Sequence, residues 1–317
     1  AKRGRTAYPY TFSSTIMDKL SSLRSMILRR LSGSPEHGPL GGANIFHARS
    51  PQHLRAVPIH SPAVGLVLCG RKELRIGNVD STLRPGQMML WPSNCDIHFS
   101  NYPEGAEGVY LALIFTFSPR AIEHFGRHYA SQTRAWTQLP VWSAEVPPSV
   151  LLAITQWVQL CLEGPVDAEI THHRQVELLL LLSRHDLAGN LLLSRQAAWR
   201  QRVAHMLSLD PAYRWEASEV SERLGCAEST LRRHLNEEGT GFRELLEEVR
   251  LVSGLALLQE TFWPIARVAA EVGYDSHSLF SERFKLRFGM TPSELKRTRL
   301  SDSGEEMSDQ GEPAPIR

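Results

Sequence analysis

The sequence IARVAAEVGYDSHSLFSERFKLRFGMTPSEL, from Ile265 to Leu295, decides the fold of the C-terminal part of this chain. Its first residues repeat apolar side chains at three- and four-residue steps, which predicts an amphipathic helix with one buried stripe. Gly273 then permits a tight turn, because a residue without Cβ adopts positive φ at little steric cost. A second helix follows, with Ser276 as its N-cap and a phenylalanine at every fourth position of its inner side. The pattern predicts a helix-turn-helix.

The second helix of this unit carries polar and charged side chains on its outer side. A helix that lies in the major groove of DNA needs such groups, because they meet base edges and phosphates. We predict base contacts from four residues of this unit: His277, Ser278, Ser281 and Glu282. We predict phosphate contacts from three more: Ser276, Lys285 and Arg287.

The same pattern occurs about fifty residues earlier, in ASEVSERLGCAESTLRRHLNE from Ala217 to Glu237. Gly225 repeats the turn, and the inward leucines leave a polar face on the opposite side of the helical wheel. We predict base contacts there from Ser229, Arg232 and Arg233, and a phosphate contact from Asn236. Phe242 to Gln259 reads as one long helix between the two units. Such a spacer suits two successive major grooves on one face of DNA.

These motifs resemble the AraC/XylS family of bacterial transcription regulators. The family's closing signature, GY-D-S-x-S-x-F-S-x-R-F-K-x-x-F-G-x-T-P, is matched between Gly273 and Pro292, and the resemblance covers about Arg200 to Lys296. Gly254 departs from it, because the family more often has alanine there, and a less stiff spacer is expected. The resemblance implies a sequence-specific regulator, an activator, that binds double-stranded promoter DNA and contacts RNA polymerase.

Length and composition set the domain count. A chain of 317 residues with 42% hydrophobic content predicts two domains with extensions. The predicted parts are a basic extension and linker over 1–42, an effector and dimerisation domain over 43–188, the tandem helix-turn-helix domain over 195–300 and an acidic disordered tail over 301–317. No apolar run approaches the roughly 18 residues of a membrane span. We therefore expect a cytoplasmic protein that does not enter a membrane.

The charge balance indicates that affinity for DNA depends on the positions of individual charged side chains. Residues 195–300 contain 16 Lys and Arg against 15 Asp and Glu, so this region is not strongly basic. Phosphate affinity must come from local placement. The four cysteines are scattered without a Cys-x-x-Cys pair, which argues against a disulfide scaffold or a zinc finger.

The first 34 residues hold seven Lys and Arg and one Asp, with apolar residues at helical spacing from Ile16 to Leu31. Two interpretations remain open for this cationic amphipathic helix. It suits a membrane surface or a transit role, and it equally suits a helix docked on its own protein, which we favour because no secretory signal pattern is present.

From about Ile45 to Phe117 the chain changes to short β-type runs separated by Gly, Pro and Asn, which predicts a small antiparallel barrel or jelly roll. The resemblance implies a cupin-like effector domain at this place. Two helices are predicted after it, over Val150 to Leu162 and Glu169 to Ala188. The second is dense in leucine, so we predict a homodimer seam at Leu178, Leu179 and Leu182, with burial against the barrel as the alternative. The fold class is α+β.

Cupin barrels often hold a catalytic metal, but the pattern here does not favour one. The required His-x-His pair is absent, Ile97 takes the place of the second-motif histidine, and His172 and His173 point about 100° apart on a helix. We therefore predict no enzyme activity, no metal and no cofactor. A small-molecule effector pocket is predicted from Trp91, His98, Tyr110 and Phe115, with plain core packing as the alternative for each. Control by a partner protein remains open.

Overall fold

The computed structural model describes residues 14–32, 40, 42–92, 95–129, 143–192 and 199–299. Several sequence predictions lie outside the described residues. These are the start of the basic extension, most of its glycine-containing linker, residues 195–198 at the start of the predicted tandem helix-turn-helix domain and the acidic tail over 301–317.

Nine strands and twelve helices occupy the described ranges. The strands are β1 Asn44–Ala48, β2 Gln52–Ile59, β3 Ala63–Cys69, β4 Arg71–Ile76, β5 Val79–Leu83, β6 Gln87–Trp91, β7 Cys95–Tyr102, β8 Tyr110–Thr116 and β9 Ser143–Glu145. The helices are α1 Ser14–Leu31, α2 Pro119–His128, α3 Pro148–Glu163, α4 Ala168–Arg184, α5 Gly189–Leu192, α6 Trp199–Ser208, α7 Ala217–Arg223, α8 Glu228–Glu237, α9 Phe242–Glu260, α10 Ile265–Glu271, α11 His277–Phe288 and α12 Pro292–Arg297.

The strands form two antiparallel sheets, which we call the barrel domain together with α1 to α4. The first sheet has the order β1-β8-β3-β6-β9 and the second the order β2-β7-β4-β5. All seven residues of β3 are buried, because helices cover one face of the first sheet and the second sheet covers the other. In β4 buried and exposed residues alternate, since only its inner face meets the first sheet. The predicted α+β class is confirmed.

Helices α1, α3 and α4 pack on the outer face of the first sheet. The leucines predicted to form a dimer seam lie in this layer: Leu178, Leu179 and Leu182 are at most 1% exposed. The seam prediction is therefore wrong for these residues, because they pack inside one chain. The leucine run covers the barrel, which was the alternative.

Helix α1 docks on its own protein. Leu20, Leu23, Ile27 and Leu31 are buried in the same core as the outer face of the first sheet. The apolar stripe of this cationic helix is thus covered by the barrel domain. None of the helices in the described ranges combines the length and the apolar content that a bilayer crossing requires.

Helix α9 joins two helix-turn-helix units. We call α6 to α8 the first reader and α10 to α12 the second reader. Gly254 of α9 has a packing reason that the sequence did not show. A Cβ built on it would lie 2.7 Å from the ring of Phe280 in α11, so glycine lets the second reader approach α9 closely.

Candidate DNA-binding interface

The first reader has its own apolar core. Val220 of α7, Leu231 and Leu235 of α8 and Leu245 and Val249 of α9 are buried in it. Gly225 makes the turn between α7 and α8 with φ of 70°. Because the leucines point inward, the opposite face of α8 is presented to solvent. The predicted contact residues on that face are all exposed: Ser229, Arg232, Arg233 and Asn236.

Carboxylates on the same helix hold the two arginines of this face. Glu228 accepts hydrogen bonds from Nε and Nη2 of Arg232, at 2.8 and 2.5 Å. Glu237 lies 3.8 Å from Nε of Arg233. Sequence reasoning missed Glu228 as a partner, although its i,i+4 spacing from Arg232 is a readable signal. The pairing leaves Nη1 of Arg232 available to a base edge.

The second reader repeats this geometry with a stronger helix start. Gly273 makes the turn with φ of 82°, and Ser276 caps α11 by accepting a hydrogen bond from the Leu279 amide. Its inner side is closed by the buried phenylalanines 280, 284 and 288. The outer side presents exposed His277, Ser278, Glu282 and Lys285. Ser281 is half-buried, and its hydroxyl donates to the His277 carbonyl at 2.8 Å.

Arg287 does not lie on the outer face with Lys285. Its Nη2 donates to Glu248 of α9 at 2.9 Å and lies 3.4 Å from Asp96 of β7. The guanidinium is therefore held between α9 and the barrel domain. The prediction that Arg287 contacts a DNA phosphate is corrected in this arrangement. Arg287 lies near the end of α11, on a side of the helix that faces the barrel domain.

The barrel domain contacts the second reader at the turns before and after α12. Thr298 after α12 accepts hydrogen bonds from the amides of Arg49 and Ser50, at 2.6 and 3.2 Å. The side chain of Arg55 lies so close to Gly289 that a Cβ there would be 2.7 Å from its Nε. Ala56 lies in the bulge of β2 and has φ of 52°, a strained backbone conformation for a residue other than glycine. The bulge bends this segment of β2 toward the second reader.

A buried polar chain runs from inside the barrel to the second reader. Lys72 donates to the Asn101 side chain at 2.7 Å, Asn101 to Gln52 at 2.9 Å, and Gln52 to the Thr298 hydroxyl at 2.9 Å. Burial lowers the pKa of Lys72 well below its ordinary value. Sequence reasoning missed this chain. The alternation of Lys72 with the buried Leu74 and Ile76 was a signal that its side chain points inward.

The predicted effector pocket does not form as one site. Phe115 packs against Trp157 on the helix side of the first sheet, with ring centroids 4.9 Å apart, whereas Trp91 and Tyr110 lie between the sheets. His98 is exposed and lines an open groove of about 680 Å³ on the outer face of the second sheet. These four residues therefore lie on three surfaces, because adjacent strand positions alternate between faces.

Histidines from two helices meet at the edge of the barrel domain. Nδ1 of His124 in α2 lies 2.9 Å from Nε2 of His172 in α4, and His173 points elsewhere, as its spacing predicts. Among the described residues, no group of three or more His, Cys, Asp or Glu side chains is arranged to hold a metal ion. The close pair stabilises the α2–α4 contact, with one imidazole donating to the other.

Comparison with known domains agrees with this geometry. The profile of a helix-turn-helix domain family matches residues 220–298, which include the end of α7, all of α8 and α9, and the second reader. The C-terminal domain is a helix-turn-helix domain of the AraC type.

Curated relatives of the AraC-type domain are bacterial regulators. The urease operon transcriptional activator of Escherichia coli is 34% identical over 96 residues, which are 30% of this chain and 32% of that protein. The regulator GadX of Escherichia coli K12 is 34% identical over 101 residues, 32% of this chain and 37% of that protein. The chain thus matches about a third of the length of either relative.

The whole fold has solved neighbours. A structure of ToxT from Vibrio cholerae bound to an unsaturated fatty acid covers 81% of this chain and 95% of its own, with a TM-score of 0.53 and 15% identity. At that identity the likeness concerns the fold. The two chains therefore share a fold over most of the length of each.

Proposed function

We propose that this chain is a sequence-specific DNA-binding transcription regulator that reads two successive major grooves. The observation that carries the proposal is the pair of exposed polar faces on α8 and α11, the second helices of the two units that α9 joins. With 19 residues, α9 is about 28 Å long, close to the roughly 34 Å that separate major grooves on one face of DNA. The base contacts come from Ser229, Arg232, Arg233, His277, Ser278, Ser281 and Glu282.

The remaining polar groups of these faces serve the phosphates. Asn236 and Lys285 lie beside the base-reading positions, and Ser276 adds the amino end of α11, where backbone amides favour an anion. We further propose that the regulator activates transcription and so contacts RNA polymerase, since the urease operon relative is a transcriptional activator. No catalytic step is assigned to the chain.

Selection of duplexes from a randomised pool by the full-length protein tests this function. We expect one enriched sequence with two conserved patches about ten base pairs apart, and hydroxyl-radical protection on one face of the duplex. Binding without enrichment, or protection of a single groove, would contradict reading by both units.

We also propose that a small apolar acid controls the protein from between the sheets. Lys72 is buried there, and the hydrogen-bonded series from Lys72 to Thr298 contains no carboxylate. Within the described ranges, Trp91 Nε1 and Tyr110 Oη are buried and have no hydrogen-bond partner. An incoming carboxylate would restore the charged form of Lys72. The fatty acid named for the ToxT structure supports this class of ligand for a shared fold. The hydrogen bonds from Lys72 through Asn101 and Gln52 to Thr298 would connect this ligand site to the second reader.

Calorimetric titration with an unsaturated fatty acid tests the proposed effector. We expect binding by the wild type, loss of binding in Lys72→Met and unchanged binding in Lys19→Met, which removes an exposed lysine of α1. Equal binding by the two variants would remove Lys72 from the effector site. Absence of binding by the wild type, together with control by a protein captured on the barrel, would favour the partner-protein alternative.

A further inference from the structure

One carboxylate in the middle of α9 receives a guanidinium from each reader. Nη2 of Arg200, in α6 of the first reader, donates to Oε1 of Glu248 at 2.5 Å. Nη2 of Arg287, in α11 of the second reader, donates to Oε2 of Glu248 at 2.9 Å. Each carboxylate oxygen thus serves a different reader.

The three side chains are partly shielded from water. Glu248 is 12% exposed, Arg200 23% and Arg287 27%. Among the residues that the structure describes, no hydrogen-bond partner meets the buried Nε atom of either arginine. Without Glu248 two like charges would face each other in a partly desolvated place. Their repulsion would then favour a wider separation of α6 and α11.

Besides Glu248, Arg250 of α9 links the two readers: it donates to the carbonyls of Pro211 and Tyr213 in the first reader, and a Cβ on Gly273 of the second reader would lie 2.8 Å from its Nη2. The apolar core of the first reader ends at Val249, whereas Leu251 to Leu258 of α9 belong to the core of the second reader. Glu248 lies at the border of these two cores. A change at this residue can therefore alter the angle between the readers while each core stays closed.

Two residues of the barrel domain also lie close to Glu248 and Arg287. Asp96 of β7 shares Arg287 with Glu248 at 3.4 Å, and Nε2 of His60 lies 3.5 Å from Oε1 of Glu248. Burial and the two arginines lower the pKa of His60 to about 4, so His60 is neutral near pH 7 and Asp96 is the charged contribution of the barrel. A movement of β7 would thus change how firmly Arg287 is held by Glu248.

We propose that Glu248 is a positioning residue that sets the separation and angle of the two readers, and that the barrel domain adjusts this setting through Asp96 and Arg287. The inference rests on the proposed reading of two grooves. Glu248 contacts neither base nor phosphate. It acts through α6 and α11, and its effect appears as a preference for one spacing of the two half-sites.

Spacing discrimination by the full-length protein tests this role. The probes are the duplex that the wild type selects from a randomised pool and the same duplex with one base pair inserted between its halves, which rotates one half by roughly 34°. Fluorescence anisotropy gives both affinities. We expect Glu248→Gln to weaken binding to the selected duplex about tenfold, the equivalent of 1.4 kcal/mol, and to bring the ratio of the two affinities close to one.

Glu247→Gln is the matched control, because it removes the same charge one residue away. Glu247 is 42% exposed and lies 3.4 Å from Arg283, a surface pair, so we expect it to keep the wild-type spacing ratio. Asp96→Asn should reduce the ratio about two- to threefold, as expected for an exposed pair. If Glu248→Gln does not fold, Arg200→Gln and Arg287→Gln carry the same test from either reader.

The outcomes separate this inference from the function on which it rests. A wild type that enriches a two-patch duplex, combined with Glu248→Gln that keeps the wild-type spacing ratio, overturns the positioning role alone. A uniform loss on both duplexes also overturns it, because that result indicates a weaker fold and not a changed separation of the readers. A wild type that enriches no sequence overturns the proposed function, and the positioning role with it.

Discussion

The two readers share one architecture and differ in what surrounds them. The first reader closes its own core with α6 and the first half of α9, whereas the apolar core of the second reader is continuous with the interior of the barrel domain. The barrel also holds the second reader by backbone hydrogen bonds to Thr298 and by Arg55 against Gly289. Under the proposed function, a signal from the barrel would therefore act directly on the second reader and would reach the first reader through α9.

The largest effect is expected from substitutions that leave a cavity in the core of each reader in turn. Phe284→Ala, in the shared core, should cost about 3–5 kcal/mol, and Leu235→Ala, in the core of the first reader, about 2–5 kcal/mol. Hydrogen exchange followed by mass spectrometry would locate the loosened segments. We expect faster exchange in both α11 and the barrel strands for Phe284→Ala, and faster exchange confined to α6 to α8 for Leu235→Ala. The same pattern for both variants would contradict the division of the cores.

The stability of the protein measured as a function of pH tests the contact between α9 and the barrel. Burial raises the pKa of Glu260, at the end of α9, to about 8. A raised folded-state pKa means that the protonated group contributes stability below pH 4.5 and that this contribution is lost between pH 4.5 and 8. Glu260→Gln should therefore stabilise the protein at pH 8 by an amount on the order of a few kcal/mol, with no difference near pH 4.5.

Urea midpoints of the two proteins across this pH range give the measurement. His47 contributes in the opposite direction, because burial and Arg299 lower its pKa to about 3 and its stability contribution is lost as the pH falls below 6.5. The difference between wild type and Glu260→Gln removes this common background. A difference that does not change with pH would show that Glu260 is ionised in the folded protein.

Gly254→Ala probes the closeness of α9 and the second reader. The added Cβ would meet the Phe280 ring at 2.7 Å, so overpacking should cost about 1–3 kcal/mol and exceed the gain in helix propensity. Gly126→Ala, in α2, is the control, because no atom lies within 4 Å of its new Cβ, and it should stabilise by roughly 0.5–1 kcal/mol. Calorimetric melting would compare them, and stabilisation by both variants would remove the packing reason for Gly254.

Base reading by the two units is the smallest and most local effect. Arg232→Ala in the first reader should weaken binding to the selected duplex about tenfold, roughly 1.4 kcal/mol, and relax the preference at one base pair. Ser278→Ala should do the same more weakly in the other groove. Footprints of both variants would show where protection is lost. A uniform loss over all sequences would reassign Arg232 to a phosphate.

Much of the C-terminal domain could be predicted because its information is local. Apolar spacing, Gly225, Gly273 and the Ser276 cap each act within one or two helical turns, and the structure has every one of them at the predicted place. The exposure of Arg232 and Arg233 follows from the same wheel. The role of Gly254 did not follow, because the Phe280 ring that requires it lies on another helix.

The barrel domain was less predictable for the same physical reason. Alternation identifies which face of a strand is buried but not what lies on it, so Trp91 and Phe115 were placed together although different layers cover them. The leucines of α4 posed the same ambiguity, since a partner chain and the barrel would bury them equally well. Lys72 was overlooked because a charged residue at an inward position contradicts its ordinary preference for water.

The two readers, their turns, their outward polar faces and the α+β class follow from residue spacing, since each depends on positions a few residues apart. The three-dimensional contacts were needed to show that the apolar core of the second reader continues into the barrel, that Arg287 turns away from the outer face and that Glu248 joins both readers. These contacts connect positions tens to hundreds of residues apart. Periodicity carries no information about them, because it gives the direction of a side chain within its own helix or strand and not the surface that it meets.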